Sequence, residues 1–522
     1  MRKTVLLLIL VTILLCGCAN AETDTGKVGE TDSTTVTSDT VDGDSDTTNE
    51  NDGQDSTVAD TEKTPIATAD PDYKNDEPKY DEDEFIRTPA DVTLDMYQAE
   101  FWKDDSYNKI IMTPDEIERY NSRAAAELGS SNIGYYTLNT VPSSVSRAFV
   151  LDFAENYIPD LYKNYYVGGN VKSYAWWQDV IENTNTSAVA DSTSVRYGYS
   201  VLYSTLRVYP VAEFMTNDYN NRLDDVCSAG ALRPYQRVIV IHESADGKWY
   251  YALTDTASGW VKKEEVALCR SRSDWMKRND PKDFLVVTGK EFRMTYEFTA
   301  PEYSGLLLPM GTVLPLVKSD EAPEFVNDRM TYGNYVVKVP VRDSDGYIKD
   351  KYALIPLSAD VHIGYMQYTR NNVIELAFKF IGDIYGYKGV FYSVNCSGLT
   401  SAVFSCFGLR LPGLATNQQR AGFELERIIL EDMSVDEKKS VLDSVEAGTI
   451  LFFTEHVMIY LGEYEGEYYC ISATAGYHGV EGGSGDVPFL YNVSVNTLEV
   501  YRNSGLSWFE ELWSIQLVRY KK

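Results

Sequence analysis

An acidic, aromatic-poor segment near the N-terminus limits how much of this chain can fold. Residues 19–84 contain 21 Asp or Glu against 4 Lys, many Ser and Thr, and no aromatic residue before Tyr73. Such a composition buries too little apolar surface to offset the entropy lost on ordering, so we expect this segment to be disordered. Its length corresponds to a flexible span of roughly 45 Å. The composition therefore predicts a tether ahead of a folded body.

The first residues have the pattern of a targeting signal. Arg2 and Lys3 precede the apolar run VLLLILVTILL, which is shorter than the roughly 20 residues of a membrane span and typical of a secretory signal peptide. The run ends in Leu15-Cys16-Gly17-Cys18, which resembles the bacterial lipoprotein cleavage box. This resemblance implies that residues 1–17 are removed and that the Cys18 thiol receives a lipid. An ordinary signal peptide with two unrelated cysteines is the alternative.

These features predict an extracytoplasmic lipoprotein that is anchored to the cell membrane through its N-terminal lipid. Residues 18–84 then form the lipidated, disordered acidic tether. The chain carries a net charge of -31 and no basic stripe, which argues against nucleic acid as a partner because phosphate binding needs clustered Lys and Arg.

The remaining residues, 85–522, are long enough for about three or four domains. Residues 85–195 have mixed, partly helical patterns, and we interpret them as an N-terminal scaffold region. Within it, Thr113-Pro114-Asp115-Glu116 predicts a helix start, with Thr113 as N-cap and Glu116 closing a capping box. Nothing in this region indicates chemistry.

A strand-rich region follows, with alternating apolar residues and regular turn signals. Asp246-Gly247 between two such runs is a strong hairpin signal. The start LR-x-x-P at Leu206–Pro210, the strand DGKWYYA and the close GWV resemble a bacterial SH3-like module. We expect one small all-β barrel over 196–282 and a second, less similar one over 283–362. Such barrels bind peptides or pack on a neighbour, and the fold alone does not decide between these roles; we expect structural support.

Cysteine spacing indicates no metal site. No CxxC or Cys/His cluster has zinc-ligand spacing, so we expect neither a metal nor another cofactor. An extracytoplasmic chain can pair Cys227 with Cys269 in the first barrel, but the sequence does not fix the connectivity. Six cysteines follow the predicted signal peptide: Cys18, Cys227, Cys269, Cys396, Cys406 and Cys470.

Cys396 is the best candidate nucleophile. Asn395 is a good N-cap, the run LTSAVFSCFG behind it has a helical pattern, and Gly408 is a typical C-cap. Cys396 is thereby expected in the first turn, where the positive end of the helix dipole lowers a thiol's pKa. A small buried hydrophobic residue is the alternative interpretation of this cysteine.

His456 is the best candidate base among the chain's four histidines. It begins the alternating strand HVMIYLG sixty residues after Cys396, and a Cys on a helix with a His on a later strand is a papain-like arrangement. Ser472 lies at an even offset on the following strand, YYCISATAG. With a three-residue loop at Glu463–Glu465, Ser472 and His456 would face each other directly. His478 is the competing candidate for a third site residue.

Four strings in the C-terminal part carry a family resemblance. YGYKG, NCSGLTSAVFSCFGLRLP, the Gln418-Gln419 pair and HVMIYLG resemble the NlpC-type cell-wall cysteine peptidases over residues 366–475. The layout as a whole resembles their lipoprotein relatives with two SH3-like barrels. The resemblance implies a papain-like catalytic domain over 363–522 and an α+β fold for the chain.

The resemblance also implies a reaction: hydrolysis of the bond between γ-D-glutamyl and a diamino acid in peptidoglycan stem peptides or muropeptides. Cys396 would form a thiol acyl-enzyme, His456 would move the proton, and Ser472 would orient the imidazole. The backbone N–H of Cys396 and Tyr385 would stabilise the oxyanion. Tyr385, Asn395 and Ser397 would contact the substrate.

Three positions depart from the family pattern. Asn395 stands where an Asp is usual, Ala415 where a Ser is usual, and Ser472 where His, Asn or Gln is usual. All three affect substrate binding or base orientation, while the nucleophile and base remain. We expect an active enzyme with shifted specificity. A weakened or inactive wall-binding lipoprotein, or another acyl transferase or amidase on the same fold, are the alternatives.

Overall fold

The computed structural model describes residues 85–522, except 90, 130–135, 160–161, 222, 423–424, 478–488, 503 and 521–522. Residues 86–522 form one compact unit with the expected α+β composition. The predicted signal peptide, the Cys18 lipid site, the tether and His478 lie outside the described residues. Within the described ranges, no helix is both long and apolar enough to cross a membrane.

The region before residue 196 divides among three hydrophobic cores, and Trp177 packs in the one that it shares with Met215. Its first part, with Trp102 and Tyr120, packs into the core of the C-terminal domain, whereas its second part, with Val150 and Phe153, packs against the first barrel. Thr113 and Glu116 form the expected capping box. The elements are α1 Ala99–Trp102, α2 Pro114–Leu128, β1 Ser144–Ser146, α3 Arg147–Ala154, β2 Tyr166–Val167, β3 Asn170–Val171, α4 Tyr174–Asn183 and β4 Ser192–Ser194.

The first barrel region contains β5 Arg196–Ser200, β6 Ser204–Arg207, β7 Met215–Thr216, β8 Ser228–Leu232, β9 Arg237–Glu243, β10 Trp249–Leu253, β11 Ser258–Lys262 and β12 Val266–Leu268, followed by α5 Arg272–Arg278. Seven of these strands form one sheet in the order β12-β5-β9-β10-β11-β6-β8, whereas β7 pairs with β2 of the preceding region. The expected hairpin joins β9 to β10, and Gly247 in its turn has φ +69°. Cys227 and Cys269 are both free and buried, so the possible disulfide is not formed.

The second strand-rich region has a hydrophobic core of its own, which includes Leu285, Leu308 and Val339. Its strands form small sheets, of which β16-β13-β21 has three strands. They are β13 Phe284–Val287, β14 Glu291–Arg293, β15 Leu307–Pro309, β16 Val313–Pro315, β17 Phe325–Val326, β18 Arg329–Met330, β19 Asn334–Arg342, β20 Ile348–Pro356 and β21 Val361–Ile363.

The C-terminal domain packs helices on both faces of a six-stranded antiparallel sheet, in the order β22-β27-β23-β24-β25-β26. Along the strand that His456 begins, Val457 and Ile459 face the hydrophobic core that contains Cys396. Met458 and Tyr460 face the core on the opposite side of the sheet, which contains Leu442 and Trp508. The elements are α6 Arg370–Phe378, α7 Cys396–Ser405, α8 Ala415–Ala421, β22 Leu425–Ile429, α9 Val435–Leu442, β23 Ile450–Phe453, β24 His456–Tyr464, β25 Glu467–Gly476, β26 Phe489–Thr497, α10 Trp508–Glu511 and β27 Ser514–Tyr520.

The hairpin between β24 and β25 differs from the expected one. Its turn has two residues, Glu465 and Gly466, since Tyr464 pairs with Glu467. Both turn residues have positive φ angles, 54° and 91°, as tight hairpin turns require. The register shifts between Tyr460 and Gly462 and runs through Ile459↔Ile471. The next pair in this register is Met458 and Ser472, which places Ser472 diagonally across from His456. The expectation that Ser472 and His456 lie directly opposite each other is therefore wrong.

Candidate active site

Cys396 occupies the first position of α7, as the sequence predicts. The Asn395 side chain accepts a hydrogen bond from the Gly398 N–H at 3.0 Å, which confirms Asn395 as the N-cap. Cys396 is 6% exposed, so the helix holds the thiol at the edge of the core rather than in open solvent.

The thiol's pKa is raised, not lowered. Burial is the largest cause, and the backbone N–H groups of Val457, Ser397 and Cys396 itself lower the pKa only in part. The expectation that the helix N-terminus produces a thiolate is therefore wrong for the free protein, because desolvation of the charged sulfur outweighs the helix amides. Burial therefore favours the neutral thiol at Cys396, the candidate nucleophile.

His456 is held by the residue that the sequence pattern assigns to it. Its Nε2 lies 2.8 Å from the Ser472 Oγ, and Ser472 is fully buried. Parity on the strands predicts this contact, since residues two apart share a face. The diagonal placement still brings the hydroxyl within hydrogen-bond distance of the ring.

The His456 imidazole lies among aromatic rings. It stacks on Phe453 with ring centroids 4.9 Å apart and lies 5.4 Å from Trp508. Burial, and secondarily the charge of Arg502, lowers the pKa of His456 to about 3. Arg502 itself lies 4.8 Å above the Phe453 ring. His456 is therefore neutral at ordinary pH and able to accept a proton.

The candidate nucleophile and base adjoin at the start of β24 without a direct hydrogen bond. The N–H of Val457, the residue after His456, acts on the Cys396 sulfur, and Val457 packs in the same core as Cys396. The imidazole lies on the other face, with Phe453 and Trp508. Within the described chain, Ser472 is the hydrogen-bond partner of the imidazole. Proton transfer thus requires the two groups to move closer or to use a water, as is common for ligand-free sites.

Tyr385 lies beside the thiol, and the first barrel contributes an acid there. Burial, then the nearby Cys396 and Asp224, raises the pKa of Tyr385 well above its usual value. The Tyr491 hydroxyl donates to Asp224 at 3.3 Å, and its ring lies 5.8 Å from that of Tyr385. Asn221 also donates to Asp224, at 2.7 Å. Asp224 has no motif around it, and sequence reasoning missed it.

Ser397 and the Gln418-Gln419 pair serve the framework. The Ser397 hydroxyl donates to the Gly413 carbonyl at 2.9 Å, and Ser397 is only 1% exposed. Gln418 donates to the Ser397 carbonyl at 2.9 Å and to the Pro412 carbonyl at 2.8 Å. These bonds tie α7 to the segment before α8. Its burial leaves Ser397 little surface for the substrate contact that the sequence suggested.

No set of three or more His, Cys, Asp or Glu side chains in the described ranges is arranged to hold a metal ion.

Comparisons with known proteins agree with this architecture. Residues 382–493 match the model of the NlpC/P60 family, and residues 224–262 match that of an SH3 domain of the SH3b1 type. The search against curated proteins finds no match.

One similar solved structure is described as a novel NlpC/P60 endopeptidase from Photobacterium damselae subsp. piscicida. It aligns with a TM-score of 0.64 at 17% identity, over 81% of this chain and 97% of its own, which shows a shared fold. The C-terminal domain of this chain is therefore an NlpC/P60 domain, and an SH3 domain of the SH3b1 type precedes it.

Proposed function

We propose that the protein is a cell-wall peptidase, specifically a cysteine endopeptidase that cuts the bond between γ-D-glutamyl and a diamino acid in peptidoglycan stem peptides. One observation carries the proposal: Cys396 begins a helix beside the strand that His456 begins, and Ser472 holds the imidazole. The NlpC/P60 match and the fold shared with an endopeptidase support the same reaction class.

The protonation states favour general-base catalysis over a preformed ion pair. The thiol keeps its proton because burial raises its pKa. The imidazole, whose pKa is low, is unprotonated, so it has a nitrogen lone pair for that proton but is a weak base. His456 accepts the proton as the sulfur attacks the peptide carbonyl, then gives it to the leaving amine as the C–N bond breaks. Water, deprotonated by His456, attacks the thioester; the acid leaves and the thiol regains its proton.

The oxyanion of each tetrahedral intermediate needs fixed donors. The backbone N–H of Cys396 at the helix N-terminus is one, since that amide has no partner within the helix. The buried Tyr385 hydroxyl beside the thiol is the second, because its raised pKa keeps it protonated as a donor.

Asp224 bears on substrate preference. Asn395 has no charge where relatives have an acid, and its Oδ1 is engaged as the helix N-cap. Asp224 places a carboxylate near Tyr385 from the first barrel. We therefore expect a substrate's free amine to meet Asp224 beside Tyr385, so that the first barrel takes part in binding.

The decisive experiment is digestion of purified stem peptides, with product identification by mass spectrometry. The wild-type protein should release products ending in γ-D-glutamate, and Cys396→Ala should release none. Cys406→Ala is the matched control, because Cys406 is a buried cysteine near the other end of α7 and should leave cleavage unchanged. Full activity of Cys396→Ala would return that cysteine to a packing role, and an inert wild-type protein would favour a wall-binding lipoprotein.

The proposed location rests on Leu15–Cys18. Cys18→Ala should move the protein from the membrane to the soluble fraction and abolish labelling with a fatty-acid probe. Cys16→Ala, which changes the other cysteine of the box, should retain both. Membrane retention of Cys18→Ala without label would contradict lipid anchoring.

A further inference from the structure

A cavity of about 850 Å³ lies between the first barrel, the second strand-rich region, α2 and the helix α7 that begins at Cys396. Its α7 wall consists of small residues, namely Gly398, Ser401, Ala402 and Ser405. Cys396 and His456 do not line it. The volume lies within the range of roughly 300–1,000 Å³ that small-molecule sites occupy.

The cavity wall is basic in an acidic protein. It contains six Lys or Arg against three Asp or Glu, whereas the whole chain has 47 Lys or Arg against 78 Asp or Glu. This inversion of sign favours an anion inside the cavity, because clefts lined by one sign of charge concentrate the opposite ion.

Three of the six cations of the wall are already paired with acids. Arg237 binds Asp255, Arg278 binds Asp350, and Lys290 binds Asp383 at 2.7 Å. These pairs neutralise each other and hold the wall together. They leave Arg233, Lys388 and the exposed Arg410 as the cations that no acid neutralises within the described ranges.

Arg233 is half-buried, in contrast to the exposed Arg410. In the described part of the chain its guanidinium has no hydrogen bond or ion pair, although its backbone carbonyl accepts from the Gln236 N–H at 3.2 Å. The guanidinium lies close to Gly311 of the second strand-rich region. A Cβ atom built on this glycine would be 3.1 Å from the Arg233 Nη1. Burial lowers the pKa of Arg233. Arg233 is half-buried and lines the cavity, so its guanidinium is open to a ligand inside the cavity.

The geometry points to a binding site for a carboxylate-bearing ligand, anchored by Arg233. A guanidinium binds a carboxylate through two parallel hydrogen bonds, and Lys388 supplies a second positive charge on the wall. The rings of Tyr203 and Tyr392, 5.3 Å apart, offer apolar surface for the body of the ligand. Both line the cavity.

In the cell wall, a carboxylate ligand for this cavity has two sources: the lactyl group of a sugar or the free acid of a stem peptide. This choice of sources rests on the proposed function, whereas the site itself does not. N-acetylmuramic acid and L-alanyl-γ-D-glutamate are the two probes. N-acetylglucosamine, which lacks the carboxylate, is the negative probe.

Isothermal titration with the Cys396→Ala protein measures binding without turnover. We expect at least one carboxylate probe to bind, and Arg233→Met to weaken that binding by about tenfold or more, as loss of a charge-assisted contact does. Arg233→Lys should weaken it less. The site is refuted if neither probe binds, if Arg233→Met binds both probes as the parent does, or if N-acetylglucosamine binds equally well. Because the assay needs no cleavage, its result is independent of peptidase activity.

Thermal unfolding separates a binding role from a structural one. Arg233→Met removes an unpaired cation, so the ligand-free variant should unfold at the same or a higher temperature than the parent. Arg237→Met is the matched control: it breaks the pair with Asp255 and should unfold at a lower temperature. A marked loss of stability in Arg233→Met would assign this arginine to the framework and overturn the proposal.

Discussion

The Nε2 of His456 lies 2.8 Å from the Ser472 hydroxyl, although the two residues are diagonal neighbours on β24 and β25. The two-residue turn at Glu465-Gly466 and the register shift after Tyr460 set this offset. Ser472 can therefore orient the imidazole without the longer side chain that relatives use.

Replacing Ser472 with Ala should lower turnover modestly. The hydroxyl fixes the direction of a neutral ring and carries no charge, so we expect kcat to fall on the order of tenfold, or about 1.4 kcal/mol. KM should change little, because Ser472 is buried away from the substrate. Steady-state cleavage of a stem peptide measures both constants.

Ser494→Ala is the matched control for this prediction. Ser494 pairs with Ser472 on the adjacent strand β26 and is equally buried, but its hydroxyl bonds Asn496 at 3.1 Å. Its removal should leave kcat unchanged. Equal losses in the two variants would show that Ser472 acts through packing alone.

Local patterns were enough to predict the positions of the catalytic candidates. Capping chemistry at Asn395 places Cys396 in the first helical turn, and the two-residue period of a strand places Ser472 on the same face as His456. These features depend on residues close in sequence. The turn at Glu465-Gly466 was missed because Glu465 adopts a positive φ that its residue type rarely prefers.

Long-range packing explains the other differences. The thiol's pKa depends on how deeply α7 is buried, which no local motif shows, and Asp224 reaches the site from a barrel more than 170 residues before Cys396. The scaffold region divides because its parts pack in different hydrophobic cores. The SH3-like character of residues 283–362 and the removal of residues 1–17 stay predictions.

Alkylation of Cys396 should rise steeply with pH. Burial raises the pKa of this thiol, so the reactive thiolate is scarce at pH 7 and its rate with iodoacetamide should grow about tenfold per pH unit up to pH 9. Cys406, whose pKa burial raises to about 12, should react more slowly at every pH. Mass spectrometry of labelled peptides follows both sites. A plateau for Cys396 below pH 8 would indicate a preformed thiolate instead.

Asn121 should be a strong stabilising link between α2 and the catalytic domain. Its side chain donates to the Gly408 carbonyl at 2.9 Å and accepts from the Arg410 N–H at 2.9 Å. Asn121→Ala leaves both buried groups unpaired, which should cost about 2–3 kcal/mol of unfolding free energy. Ser122→Ala, on the exposed side of the same helix, should stay within about 0.5 kcal/mol. Urea unfolding compares the two, and equal stabilities would contradict the link.

Arg502 should set the acid limit of activity. Its charge is the second cause, after burial, of the low pKa of His456, and it lies over Phe453, on which the imidazole stacks. Arg502→Met removes this charge, so the pKa of His456 should rise and the neutral base should be lost at a higher pH. The acid limb of kcat/KM should therefore move to higher pH, while Arg502→Lys keeps the charge and should move it less.

The pH dependence of the unfolding free energy is a second measure of the lowered pKa of His456. The pKa of His456 is about 3 in the folded protein and about 6.5 in the unfolded chain. The unfolded chain therefore binds the proton first as pH falls, so the stability that neutral His456 contributes is fully present above pH 6.5 and is lost as pH falls toward 3. Arg502→Met reduces the difference between the folded and unfolded pKa values of His456. As pH falls from 6.5 to 4, the unfolding free energy of the variant should therefore decrease less than that of the wild type. Glu511→Gln removes the partner of Arg502 but keeps the cation, and should not reduce this difference. Identical pH dependence in Arg502→Met and wild type would show that burial alone sets the pKa of His456.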